Sequence, residues 1–226
     1  MANHLDLEEQ EQLDQLKHFW NTWGALISSV LLVVVSALAA WNGYQFWQAR
    51  QATQAAALYD AVEVAVASGD QGRWEQAFSD LRGKYAGTIQ ASQAGFLVSK
   101  MEATKGNLDA AKSALTWIAD HAADDGHKEL ARIRLSGLLM AQQSYDEALQ
   151  QLSAPFSLEY AAVVADRKGD VLALQGKRSE AVAEYLKAYK AFPDNVEYRR
   201  LVEIKLNALG ERPQAVAIAA PLESSK

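Results

Sequence analysis

A long stretch without any charged residue, residues 19–49, lies near the N-terminus of the 226-residue chain. Its centre, residues 30–40, is almost wholly apolar. A hydrocarbon core about 30 Å thick needs roughly 20 apolar residues in a helix, so this stretch is long enough to cross a bilayer. Aromatic residues mark both of its ends, as they do at the two membrane–water interfaces. They are Trp20 and Trp23 at one end, and Trp41, Tyr44 and Trp47 at the other. The sequence therefore predicts a transmembrane helix over residues 20–47, after a short acidic tail over residues 1–19.

Two other interpretations of the apolar stretch are weaker. Ala37-Leu38-Ala39 has the small residues of a signal-peptide cleavage site, but the segment before it is acidic and the apolar run is long for a signal. A buried core helix would rarely stay uncharged for so long between aromatic ends. The orientation is open, because one basic residue flanks each side of the stretch, Lys17 and Arg50.

Small residues recur along the predicted span at every seventh position. They are Thr22, Ser29, Ser36 and Gly43, with Ala40 on the same side. Small side chains at such spacing let another helix approach closely, so this seam is a hypothetical docking face for a partner helix. The alternative is that these residues are incidental and face lipid.

The composition argues against several kinds of chemistry. The chain contains no cysteine, which excludes a thiol nucleophile, a thiolate metal site and a disulfide framework. The four histidines form no His-x-x-x-His pair, and neither a phosphate-cradling glycine motif nor a nucleophilic-serine elbow occurs. No basic stripe accompanies the net charge of −6, so nucleic-acid binding has little support. We therefore expect a non-enzymatic protein that has no cofactor and no metal site.

Residues 48–226 read as one helical domain. No helix breaker follows Trp47 until Ser68-Gly69, so the apolar helix is predicted to continue into this domain. Residues 69–72 are predicted as a turn, and a second helix is predicted to end at Gly87. His121 and His127 flank Asp124-Asp125-Gly126, which reads as an exposed loop between repeats.

A repeated pattern then indicates the fold. At four places an alanine follows a turn, and an apolar residue stands four positions later. The pairs are Ala111 with Leu115, Ala148 with Leu152, Ala181 with Tyr185, and Ala215 with Ala219. The period, near 34 residues, and the helix–turn–helix character are typical of tetratricopeptide repeats. The repeats are expected at roughly 92–125, 129–161 and 162–195, with a partial one at 196–220. We therefore predict an all-α protein, with one transmembrane helix followed by an α-solenoid of tetratricopeptide-like hairpins.

The third copy has the clearest structural signature. Gly169 takes the position in the first helix where a side chain would block the second helix. The other signature residues of this copy are Ala181, Tyr185, Ala188 and Pro193. The earlier copies are weaker, because the first lacks the glycine and the second has Pro155 where a small residue is expected.

A stack of hairpins without an active site binds partners on its concave surface, which the first helix of each repeat lines. The candidate binding residues on that surface are Arg132, Arg134, Asp166, Lys168 and Asp170. For any one of them, a solvated surface charge is the simpler interpretation. Tyr160, at the start of the third repeat, is expected in the core between repeats.

The layout of tail, span and repeats resembles the ancillary subunit of the bacterial SecYEG translocon (the YfgM-like family). The most specific piece is Tyr-Ala-Ala-Val-Val-Ala-Asp-Arg-Lys-Gly at residues 160–169. The resemblance implies a single-span inner-membrane protein with a cytoplasmic N-terminus and a periplasmic repeat domain. It also implies partnership with SecYEG and with a membrane-anchored periplasmic peptidyl-prolyl isomerase-like chaperone. Other periplasmic chaperones or client proteins would be further partners. Residues after Pro193 do not match the family pattern. The alternative function is a tetratricopeptide scaffold for other cell-envelope or division proteins.

Overall fold

The computed structural model describes residues 7–213, and all regular secondary structure in that range is helical. The chain divides into two compact units, Met1–Gln54 and Ala55–Lys226. The described helices are α1 (Leu7–Ser68), α2 (Gln71–Lys84), α3 (Ile89–Thr104), α4 (Leu108–His121), α5 (Asp125–Ala141), α6 (Tyr145–Leu152), a 3₁₀ helix (Leu158–Tyr160), α7 (Ala161–Leu174), α8 (Arg178–Ala191) and α9 (Glu197–Ala208). This all-helical architecture confirms the predicted fold class.

The first unit contains the long apolar part of α1. The apolar window of this helix has a mean hydropathy of 2.2, and only 6% of it is buried. A core helix of a soluble protein would be mostly buried, so the exposed apolar surface fits a helix that crosses a membrane. The helix begins at Leu7, which makes the later part of the predicted tail helical. The prediction that the helix continues without a break to Ser68 is confirmed.

In the second unit, the last part of α1 packs with α2 and α3. Val62 and Ala65 of α1 share a core with Trp74 and Leu81 of α2, and all four side chains are fully buried. The turn between these helices is shorter than predicted. Asp70 caps α2 by accepting a hydrogen bond from the backbone N–H of Arg73, so Gly72 lies inside the helix.

The turns within the hairpins share one conformation. After the first helix, one residue adopts a positive φ and the next backbone N–H donates to a carbonyl five residues earlier, which is the Schellman motif. The donor–acceptor distances lie between 2.8 and 3.0 Å. The positive-φ residues are Gly69, Gly106, Gln143, Gly176 and Gly210. The repeated alanine pattern accounts for four of these turns, and the turn at the end of α1 falls within the separately predicted turn over residues 69–72. Ala215, in the last predicted copy, lies outside the described residues.

The third copy packs as its signature predicts. A Cβ on Gly169 would lie 2.5 Å from the Tyr185 ring, so α8 closes on α7 only because this residue is glycine. Ala181 and Ala188 are fully buried. Pro193 follows the end of α8 at Ala191.

The weaker copies deviate in ways that their sequences do not show. Ser99 and Ser136 are buried at the position that Gly169 takes in the third copy, seven residues before the positive-φ residue of each turn. A buried serine is therefore the small residue of those first helices. Pro155 does not fill a helical position, because α6 ends at Leu152 after eight residues.

The predicted loop between the histidines is shorter in the structure. Asp124 caps α5, and Asp125, Gly126 and His127 form its first turn. His121 is the last residue of α4. The acid pair Asp146-Glu147 lies in the first turn of α6, where negative side chains interact favourably with the helix dipole.

Candidate partner-binding surfaces

The predicted seam on α1 is exposed, and the hydroxyl groups of Thr22 and Ser29 are satisfied within the helix. The Oγ1 of Thr22 donates to the carbonyl of His18 at 2.8 Å, and the Oγ of Ser29 donates to the carbonyl of Ala25 at 2.7 Å. Ser36, Ala40 and Gly43 are exposed on the same helix. The seam therefore presents little side-chain bulk and few free donors, which suits close contact with another helix.

A network of charged and phenolic groups joins α7 to α9. The Nζ of Lys205 lies 2.7 Å from both Asp166 and Asp170. The Tyr198 hydroxyl donates to Asp166 at 2.8 Å, and the Tyr185 hydroxyl donates to Asp170 at 2.8 Å. Two carboxylates thus share one ammonium group, and each also accepts a hydrogen bond from a tyrosine.

This network corrects the predicted role of Asp166. The side chain of Asp166 is fully buried. It accepts a hydrogen bond from Lys205 of α9, which is 39 positions later in the chain. Asp170 is partly buried, and Arg167 pairs with it at 3.4 Å. In this arrangement both carboxylates hold α9 against α7, and neither presents free acceptor groups on the surface.

The two tyrosines of the network stay protonated at neutral pH. Burial, followed by the hydrogen bond to Asp166, raises the pKa of Tyr198 to about 12. Burial, followed by the bond to Asp170, raises the pKa of Tyr185 further still. Both hydroxyl groups therefore remain donors to the carboxylates.

The remaining predicted surface residues do not form one cluster. Arg132 and Arg134 are two positions apart on α5, and residues with that spacing point to different sides of a helix. Lys168 lies two positions from Asp166 and from Asp170, so it is on another side of α7 than this pair. Tyr160 is partly buried and packs against the core formed by residues of α4, α5, α6 and α7, as expected.

Sequence reasoning missed an aromatic and basic cluster between α3 and α5. The Arg134 guanidinium lies over the Phe96 ring, with its Cζ 4.5 Å from the ring centroid. The His127 ring contacts the same phenyl group at a centroid distance of 5.7 Å. The two residues lie at nearly the same place in the first helices of successive repeats, and this correspondence is visible in the sequence. Phe96 precedes the positive-φ residue Gly106 by ten positions, and Arg134 precedes Gln143 by nine.

Asp124 holds the histidine of this cluster in place. Its carboxylate accepts hydrogen bonds from the backbone N–H of His127 at 2.8 Å and contacts the ring Nδ1. Burial raises the pKa of Asp124, but the bonds to His127 outweigh that effect and keep the pKa below its usual range.

Within residues 7–213, no group of three histidine or acidic side chains is arranged to hold a metal ion. The surfaces described above offer hydrogen bonds, charges and aromatic contacts, which are the chemistry of partner recognition.

Stacked helical hairpins with a shared turn define an α-solenoid of the tetratricopeptide-like class, here preceded by a helix that fits a membrane span. Consistent with that class, the tetratricopeptide repeat-like domain family matches residues 17–211. The "Ancillary SecYEG translocon subunit" of Neisseria gonorrhoeae is 34% identical over 213 residues, covering 92% of this chain and 100% of that protein. The protein of the same name from Haemophilus influenzae is 25% identical over 206 residues, covering 90% and 98%. No solved structure matches the chain significantly. The chain therefore belongs to the ancillary SecYEG translocon subunit family.

Proposed function

We propose that this protein is a non-enzymatic accessory subunit of the SecYEG translocon, which links the channel to periplasmic chaperones and helps to handle newly translocated proteins. The observation that carries the proposal is the 34% identity to a protein of that name over its entire length. The matched region includes the apolar helix as well as the hairpins, so the likeness extends beyond a common repeat fold.

In this proposal the two units bind different partners. The apolar part of α1 anchors the protein in the inner membrane and docks beside channel helices through Thr22, Ser29, Ser36, Ala40 and Gly43. The hairpins bind a membrane-anchored peptidyl-prolyl isomerase-like chaperone, and other chaperones or clients. Small residues with internally bonded hydroxyl groups support the first contact. The exposed guanidinium of Arg134 on α5, which contacts Phe96 and forms no ion pair within residues 7–213, supports the second.

The proposed location is the bacterial inner membrane, with a single crossing. Residues 1–19 form a cytoplasmic tail, residues 20–47 cross the bilayer, and residues 48–226 form the periplasmic domain. The exposed apolar surface of α1 supports the crossing. The direction follows from the family resemblance, since the flanking basic residues do not favour either side.

Photo-crosslinking from single positions along the span tests the translocon contact in cells. Probes at Ser29, Ser36 and Gly43 are expected to label channel subunits. Probes at Leu31 and Leu38, two positions along the helix from Ser29 and Ser36, point to another side and serve as matched controls. Channel labelling from the control positions alone would contradict the seam and leave the translocon contact standing. The absence of channel labelling at all five positions would overturn the proposed function. Labelling of division proteins in its place would support the scaffold alternative.

Affinity capture of the full-length protein tests the chaperone contact separately. The isomerase-like chaperone is expected to be recovered with the wild-type chain, and to remain when Ser36 is replaced by leucine. Its absence from both samples would contradict a role as a chaperone link.

A further inference from the structure

The Phe96 platform, which comprises Phe96, Lys100, His127 and Arg134, is a surface with an unusual charge arrangement. Phe96 is partly buried and packs against the core formed by residues of α4, α5, α6 and α7. Its ring contacts the guanidinium of Arg134 and the imidazole of His127. Lys100 is exposed one helical turn after Phe96, on the same side of α3. The platform thus combines an aromatic ring with basic groups supplied by two successive hairpins.

Two basic side chains of the platform, Arg134 and Lys100, have no acidic partner in the described part of the chain. Neither Arg134 nor Lys100 forms an ion pair there, and both are exposed. Two other basic residues that reach across hairpins are neutralised, since Lys112 pairs with Glu147 at 2.7 Å and Lys205 pairs with Asp166. Arg178 differs, because its guanidinium donates to the backbone carbonyl of Leu209. The third basic side chain, His127, is already bonded to Asp124. An unbalanced positive surface is notable in a chain with a net charge of −6.

The geometry of Arg134 indicates what the platform recognises. A guanidinium that lies over an aromatic ring is held in one orientation, while the N–H groups at its edge remain free to donate. Those donors match the two oxygens of a carboxylate. The ring adds an apolar contact next to the charge.

On the basis of the proposed binding role of the hairpins, we propose that the Phe96 platform docks an acidic peptide segment of a partner protein, with carboxylate side chains on Arg134 and Lys100. The small number of basic groups favours a peptide over other anionic partners. Recognition of anionic lipid surfaces generally uses clusters of about 4–8 lysines and arginines, and nucleic acids need a basic stripe.

Fluorescence anisotropy with full-length protein in nanodiscs of zwitterionic lipid tests this proposal. The probe is a labelled synthetic peptide in which glutamate alternates with leucine. Arg134→Gln is expected to weaken binding at least about tenfold, because it removes charge-assisted hydrogen bonds. Arg132→Gln is the matched control, since it removes the same charge two positions away on the same helix and is expected to change binding less than about twofold. Phe96→Leu keeps an apolar side chain and is expected to weaken binding about threefold, through loss of the ring beneath the guanidinium.

Several results would overturn the proposal. They are equal losses in Arg134→Gln and Arg132→Gln, equal binding of a peptide in which glutamine replaces glutamate, and no binding to the wild-type protein. Displacement of the peptide by single-stranded DNA or anionic vesicles as readily as by unlabelled peptide would also overturn it. Circular dichroism melting of each variant establishes that it is folded. In cells, Arg134→Gln is expected to retain the crosslink from Ser36 to the channel. Failure of peptide binding with that crosslink intact refutes the platform alone, whereas the absence of channel labelling from all five probe positions in the otherwise wild-type chain refutes the proposed function.

Discussion

Gly169 shows how a single residue sets the spacing of two helices. The nearest atoms to a Cβ built there are ring carbons of Tyr185, at 2.5 and 2.6 Å. The same tyrosine donates its hydroxyl to Asp170, which limits how far the ring can move away. The third hairpin therefore has little freedom to accommodate even a methyl group.

Gly169→Ala is therefore expected to destabilise the protein by about 1–3 kcal/mol, the usual cost of overpacking a core. Gly137→Ala is the control, because a Cβ there meets no atom within 4 Å and alanine favours the interior of α5. Thermal unfolding followed by circular dichroism compares the two variants. A Gly169→Ala variant as stable as the wild type would show that the hairpin can widen freely.

The contrast between Gly169 and Asp166 shows what the sequence can predict about single residues. Gly169, Ala181 and Tyr185 were predicted because the repeat encodes local packing within one hairpin. Asp166 was predicted on the surface, and the structure buries it. Lys205, which forms the ion pair with Asp166, belongs to α9. This helix lies after Pro193, where the family pattern could not be matched. Local periodicity therefore does not reveal a contact that depends on the register between hairpins.

Lys205 is expected to be the main electrostatic attachment of α9. Lys205→Met leaves Asp166 buried without a cation, so we expect a loss of about 3–5 kcal/mol in the docking of α9. Hydrogen exchange of the α9 amides measures this loss directly. Adding Asp166→Asn is expected to recover part of it, because a neutral amide needs no counter-charge.

Lys187→Met provides the control for this experiment. Lys187 pairs with Glu184 on the surface of α8, and its side chain is 65% exposed. Exposed pairs contribute less than about 1 kcal/mol, so this variant should exchange like the wild type. Equal exchange in Lys205→Met would contradict the attachment role.

The hairpin turns show a shared requirement at the level of the helices. Four of the five described turns place glycine at the positive-φ position, and the fifth places Gln143 there with φ 60°. A left-handed conformation costs a non-glycine residue roughly 1–2 kcal/mol. The hydrogen bond from Ser144 to Leu139 nevertheless forms at 2.9 Å, so the second hairpin retains the turn despite that strain.

Gln143→Gly is expected to stabilise the protein by about 0.5–1 kcal/mol, because it relieves this strain. Gly176→Gln is the reciprocal change in the next hairpin and is expected to destabilise by about 1 kcal/mol. Both positions are exposed, so packing changes little in either variant. Thermal unfolding of both variants checks the prediction, and a shift of the same sign in the two would contradict it.

Across the chain, the sequence predicts the kinds of helices well and their partners poorly. The apolar run and the period near 34 residues are strong signals because they recur over many residues. The Phe96 platform was missed as a cluster because its members come from two hairpins, although Arg134 was itself a predicted binding residue. The direction of the membrane crossing is not encoded in the charges, since Lys17 and Arg50 balance each other.

The proposed orientation is nevertheless testable, because the chain has no cysteine and single thiols can be introduced. Ala123 and Gln12 are both exposed, one between α4 and α5 and the other before the apolar stretch. In spheroplasts with an intact inner membrane, Ala123→Cys is expected to react with a membrane-impermeant maleimide. Gln12→Cys is expected to react only after lysis.

The reverse pattern would place the hairpins in the cytoplasm and remove periplasmic chaperones from the set of accessible partners. Reaction of both thiols in intact spheroplasts would show that the apolar helix does not separate them, since a helix that crosses the bilayer must leave one of the two sites inside.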